Sequence, residues 1–143
     1  MSLKILFTAT STATGGRNGH SESSDGSVKV DLSVPKEMGG PGKQGTTTPE
    51  HLFATGYAAC FSGALDVVAK KKKLDLTDAT VTCSVSIGSQ SEGGYGLAAK
   101  LHVKTHGITQ ADAKQLVEEA HHICPYSNAT RNNMQVDLEV EAV

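Results

Sequence analysis

The 143-residue sequence has no tryptophan, and three tyrosines with three phenylalanines leave aromatics at only 4%. Its core must be filled by aliphatic and small side chains, and burial against another subunit would help to complete it. Excess charge of either sign is missing too. A formal net charge of -2 offers no basic surface to nucleic acid or anionic lipid, so neither nucleic acid nor membrane is expected as a partner. Near the start, Ile5, Leu6 and Phe7 form an apolar run far shorter than a secretory segment. The longest uncharged, mostly apolar stretch, residues 52–65, stops at Asp66, below the roughly 20 residues a bilayer span requires. A core helix in a chain that is not exported is the expectation. Three cysteines, an odd number with no export signal, argue against a disulfide framework and for reduced thiols in the cytoplasm.

With 38% hydrophobic residues and no shift of composition along the chain, residues 1–143 are expected to form a single domain. Val28, Val30, Leu32 and Val34 alternate with polar residues, which predicts a half-buried strand ending at Pro35. Residues 37–45 hold four glycines and a proline and read as a loop. They are no phosphate loop, because Lys43 is followed by Gln44 where a Ser or Thr is required. Thr48, Pro49 and Glu50 suit a cap, a first turn and a helix dipole, starting a helix that should run to about Lys70. Its apolar and small residues fall on every side, which asks for protein all around it. Lys70 to Lys73 favour its C-terminal end and need no function.

Two further alternating stretches, 81–87 and 97–103, are joined by Gly93 and Gly94 as a hairpin. Thr109 with Asp112 begins an amphipathic helix whose apolar face is Leu116, Val117, Ala120, Ile123 and Cys124, and which ends at Pro125. A last strand covers residues 136–142. The order implies an α+β fold rather than alternating βαβ units, with antiparallel sheets around a long buried central helix.

Cys83 lies between Val81 and Val85 on the apolar face of its strand, as a small hydrophobe would. Cys60 and Cys124 are each followed by polar or aromatic residues. Pattern alone leaves both a core and a reactive reading open for them.

Three segments narrow the choice. VPKEMGGPG over residues 34–42, TPEHLFATGYAACF over 48–61 and CPYSNATR over 124–131 resemble the organic hydroperoxide resistance proteins, a branch of a wider family that includes osmotically inducible protein C. ATGGRNG over residues 13–19 extends the resemblance nearly end to end, and CPYSN favours the organic hydroperoxide branch. Thr47 and His51 stand where other polar residues are more usual, without touching the named chemistry. The resemblance implies a thiol peroxidase with Cys60 as peroxidatic thiol, Cys124 as resolving thiol, and Arg17 with Glu50 as the charged part of the site. It also implies an intertwined homodimer, an organic hydroperoxide substrate, and a dithiol reductant such as a lipoylated protein. No metal, haem or flavin cofactor is called for. Phe53, Phe61 and Tyr126 are candidates for an apolar wall that binds an alkyl tail.

Elementary chemistry fits these roles. The thiolate is the nucleophile, and mid-helix Cys60 gains nothing from the N-terminus of its own helix, so a cation must come from elsewhere. Arg17 can supply it and hydrogen-bond the peroxide, with Glu50 orienting it through a bidentate pair. Ten residues of helix separate Glu50 from Cys60, about 15 Å of rise on different faces. Two copies of the helix packed antiparallel about a two-fold axis near residue 55 would bring Glu50 of one subunit opposite Cys60 of the other. Three rival readings differ in what they require: a metal centre at His121, His122 and Cys124; a cysteine hydrolase pairing Cys60 with a base such as His51; or a thiol sensor without turnover. His102 and His106 read as surface residues.

Overall fold

The computed structural model describes residues 2–143, which fall into two units, one ending at Leu52 and one covering Phe53–Val143. The first holds an antiparallel sheet of β1 (Ser11–Thr14), β2 (His20–Ser23) and β3 (Lys29–Asp31), in that order. Sequence reading finds only β3, and makes it too long: beyond Asp31 the chain keeps a single parallel bridge, Leu32 to Thr47. The strands β1 and β2 escape notice because STAT and HSES carry no apolar alternation. Side-chain pairing supports them instead. His20 sits opposite Asp31 in register and bonds it through Nδ1 at 2.8 Å, while Nε2 reaches Glu22 at 2.9 Å. The two carboxylates raise the His20 pKa, Asp31 first.

Between β1 and β2 the chain makes a 3-10 turn, Gly16–Asn18, that carries Arg17. Gly15 and Gly16 have φ of 77° and 61°, and a Cβ at Gly19 would lie 1.9 Å from the Thr14 carbonyl, so only glycine closes this turn without strain. Asn18 Oδ1 accepts from the Val34 amide at 2.9 Å and ties the turn to the segment after β3.

The long helix α1 runs Pro49–Lys72. Thr48 Oγ1 accepts from the His51 amide at 3.1 Å, the cap its sequence promises. Tyr57, Phe61, Ala64, Leu65, Val68 and Ala69 are its buried residues and pack with Ala99, Leu101, Leu116 and Ala120 in the core of the second unit. Each large apolar side chain buried there contributes about 1.5–3 kcal/mol. Over 24 residues, with an 18-residue window of mean hydropathy 1.4, α1 is long and apolar enough by composition to cross a bilayer; its buried face nevertheless forms protein core. All-round burial is not met within one chain, because Thr55, Ala59, Gly63, Asp66 and Val67 are exposed.

The strands β4 (Asp78–Ser89) and β5 (Tyr95–His106) form the expected hairpin, closed by Gly93 and Gly94 at positive φ. Helices α2 (Gln110–Ile123) and α3 (Pro125–Thr130) follow, then β6 (Val136–Ala142). Thr109 Oγ1 caps α2 through the Asp112 amide at 3.1 Å. The second sheet corrects one expectation. β6 pairs parallel with β5, so this sheet is mixed rather than antiparallel, and β5, the helices and β6 make a βαβ-type crossover. Alternation gives a strand's period and not its direction; the helical connection through α2 and α3 is what permits a parallel return. Ile123, expected on the buried face of α2, is 47% exposed, and Pro125 ends α2 only to open α3. The architecture is α+β, with two three-stranded sheets and a long central helix.

Candidate active site

Two pairs of site residues come together, one in each unit. In the first, Arg17 donates from Nη1 to Glu50 Oε2 at 2.9 Å and from Nη2 to Oε1 at 2.6 Å. This is the fork-on-fork geometry in which guanidinium and carboxylate fix each other's orientation. Glu50 stands in the first turn of α1, at the positive end of the helix dipole. The Arg17 hydrogen bond holds its carboxyl below the usual range despite burial, and the same bond raises Arg17. Glu50 is 13% exposed and Arg17 37%, so the carboxylate is shielded while the cation still faces outward. Among the described residues only Glu50 accepts from Arg17, which leaves it N–H groups for a further acceptor oxygen.

In the second unit Cys124 Sγ donates to Cys60 Sγ at 3.6 Å, both as free thiols. Cys60 is half-buried on α1. Cys124 is fully buried and serves at once as C-cap of α2 and N-cap of α3. A disulfide bond is about 2.05 Å long, so the sulfurs need only a small approach to join. Burial pushes the Cys60 thiol above its ordinary pKa, the backbone N–H of Tyr126 pulls it down, and the Cys124 thiol adds to the rise. That Tyr126 amide is a contact missed in the sequence. The signal was Pro125, which suits the first position of a helix and so marks α3 as a new element whose early N–H groups are unpaired.

Beside the thiols, the Tyr126 ring meets Phe53 edge-on, centroids 5.8 Å apart at 74°, and Tyr57 at 5.6 Å. Gly56 makes room for it, since a Cβ there would lie 2.6 Å from the Tyr126 hydroxyl. Phe53 and Tyr126 thus share one aromatic cluster. Phe61 does not join them at the surface; it is fully buried in the core and offers a ligand no face.

Other candidates are occupied otherwise. Cys83 is half-buried against the core, and burial raises its thiol. His51 Nδ1 bonds Thr48 Oγ1 at 2.8 Å, at its own helix cap. His121 Nδ1 bonds Ser127 Oγ at 2.8 Å, and among the described residues no three His, Cys, Asp or Glu side chains converge as a metal would need.

Residues 40–139 match the family described as OsmC-like protein. The organic hydroperoxide resistance protein of Xanthomonas axonopodis pv. citri is 49% identical over 136 residues, 94% of each chain. OhrB of Bacillus subtilis, which carries the same description, is 45% identical over 95% of this chain and 98% of its own. A crystal structure of an organic hydroperoxide resistance protein from Elizabethkingia anophelis superimposes with a TM-score of 0.94 at 45% identity, covering 99% of this chain and 100% of that one. On this evidence of sequence and fold, the chain belongs to the OsmC-like family, alongside the organic hydroperoxide resistance proteins.

Proposed function

We propose that the chain, residues 1–143 acting as one domain, is a cysteine-based peroxidase that reduces organic hydroperoxides to alcohols. The observation that carries this reading is the pair of free thiols, Cys60 and Cys124, 3.6 Å apart, in a chain whose relatives are named for organic hydroperoxide resistance. The Cys60 thiolate attacks the peroxide; the O–O bond breaks, an S–O bond forms, and the alkoxide takes a proton to leave as alcohol. Cys60 is now a sulfenic acid. Cys124 condenses with it to give the disulfide and water, and a dithiol such as a lipoyl group returns both thiols. This scheme needs no metal, haem or flavin, and it suits the reducing conditions of the cytoplasm.

The acting unit is a homodimer with shared sites. A single chain leaves the Cys60 thiol above its ordinary pKa, a poor state for a nucleophile, and an arginine held as Arg17 is by Glu50 is the cation it lacks. Antiparallel pairing of α1 across a two-fold axis brings the Arg17–Glu50 pair of one subunit to Cys60 of the other. The exposed stripe of Thr55, Ala59, Gly63 and Val67 on α1 supports such pairing, and so do the bare Leu6 and Phe7, 90% and 83% exposed. Arg17 then stabilises charge on the departing alkoxide. Phe53 and Tyr126 form the apolar wall for the alkyl tail, with Phe61 as core filling behind it.

Peroxide consumption tests this reading, with an organic hydroperoxide and hydrogen peroxide each supplied with dihydrolipoamide or a monothiol. Turnover should be fastest, by at least tenfold, with the organic peroxide and the dithiol. Equal rates in all four mixtures would contradict it.

A further inference from the structure

One helical turn from each of the two cysteines lies a buried set of hydroxyls that the peroxidase scheme does not use. Tyr57, fully buried, reaches Ser127 Oγ with its hydroxyl at 2.8 Å and Thr130 Oγ1 at 3.2 Å. Ser127 is fully buried as well, and its Oγ also meets His121 Nδ1 at 2.8 Å. One small side chain thus joins α1, α2 and α3. A phenyl ring would fill the place of Tyr57 equally well, and a buried hydroxyl is costly unless partnered. The partners point to a task beyond packing.

The spacing shows what that task is. On α1, Tyr57 precedes Cys60 by three residues, one turn along the same face. On α3, Ser127 follows Cys124 by three, again one turn. The hydroxyl pair Tyr57–Ser127 and the thiol pair Cys60–Cys124 are therefore two rungs between the same two elements. Cys60 rides on a 24-residue helix, whereas Cys124 sits at a corner between helices, with φ -63° and ψ 123°. Of the two sulfurs, that of Cys124 is the one whose position the surroundings must fix. Arg131 also ties α2 to α3 around this corner, donating to the His121 carbonyl and to Asn128 Oδ1. Burial lowers the His121 pKa, with the Arg131 charge acting in the same direction; neutral His121 can then accept a hydrogen bond from the Ser127 hydroxyl at Nδ1, leaving Ser127 Oγ to accept from Tyr57.

We propose that Tyr57 and Ser127, with His121 holding Ser127 from α2, are positioning residues that keep Cys124 in register for condensation with oxidised Cys60. The proposal rests on the peroxidase reading for its second step: Cys60 sulfenic acid and Cys124 thiol form an S–S bond as the S–O bond breaks, and the oxygen leaves as water with the thiol proton. Without the register, Cys60 waits as sulfenic acid and a second peroxide carries it to sulfinic acid.

Tyr57→Phe and Ser127→Ala each delete one oxygen and leave the chain's apolar packing in place. Each variant, once shown folded by its thermal transition, is treated with an organic hydroperoxide, and Cys60 is followed by mass. The first oxidation of Cys60 should keep its parent rate within about twofold. Condensation should slow about tenfold, as a small misplacement of reacting atoms does, and the sulfinic fraction should rise accordingly. The double variant should be no worse than the poorer single one, since both act through the same rung. Condensation at the parent rate in both single variants would overturn the proposal. A parent that forms no Cys60–Cys124 disulfide with hydroperoxide would sink the peroxidase reading instead. A second arm keeps the positioning claim testable in that event. Protein equilibrated with oxidised and reduced dithiothreitol exchanges two thiols for one disulfide without peroxide. The effective concentration of the pair should fall about tenfold in each variant, and equality with the parent there would again overturn it.

Discussion

In the proposed peroxidase Cys60 acts as a thiolate, and in the single chain it is held in the wrong state for that. Burial raises Cys60 and the Tyr126 amide offsets that only in part, so at neutral pH most of it stays protonated. The Arg17–Glu50 fork is the opposite case, a charge pair fixed by two bonds at 2.9 and 2.6 Å. If the guanidinium serves Cys60 across a dimer, alkylation of Cys60 by iodoacetamide should show an inflection well below that of an ordinary thiol. In Arg17→Gln the inflection should move up by one pH unit or more, to the raised value that burial sets. The cysteine pairing itself was legible only through resemblance. By pattern, Cys60 and Cys124 were two thiols 64 residues apart with a core reading open to both, and nothing in the spacing placed one sulfur beside the other.

Elements were legible where a local signal and a periodic pattern agreed. Thr48, Pro49 and Glu50 announce α1, and Thr109 announces α2; both caps form as their residues require. The polar strands β1 and β2 and the parallel sense of β6 left no such trace, because the first lack an apolar face and the second depends on a crossover. The helix α3 was hidden by its own proline, read as a stop and used as a start. In the proposed function its placement bears on the substrate. Tyr126 lies against Gly56 so tightly that a Cβ there would come within 2.6 Å of its hydroxyl. Gly56→Ala should therefore displace the Tyr126 ring from Phe53 and disturb the proposed apolar wall. Steady-state kinetics should show KM for a bulky organic hydroperoxide rising several-fold with little change for hydrogen peroxide, as expected when apolar contact area is lost. An equal effect on both peroxides would mean that the ring does not contact the alkyl tail.

At the scale of the whole molecule, the features that one chain leaves unfinished share a common remedy. α1 keeps an exposed stripe of small residues, the residues near the start leave Leu6 and Phe7 bare, and the cation and the nucleophile occupy separate pairs. The proposed homodimer would answer all three. The absence of tryptophan and the low aromatic content raise the expectation of burial between subunits, and the proposed sharing follows from ten residues of helix between Glu50 and Cys60. Co-expression of two differently tagged subunits, one Cys60→Ser and the other Glu50→Ala, tests the shared site most directly. Each homodimer should be nearly inactive. The purified heterodimer has one site with both wild-type residues and one with neither, so we expect it to recover about half the parent turnover. A heterodimer as inactive as its parents would contradict the shared site.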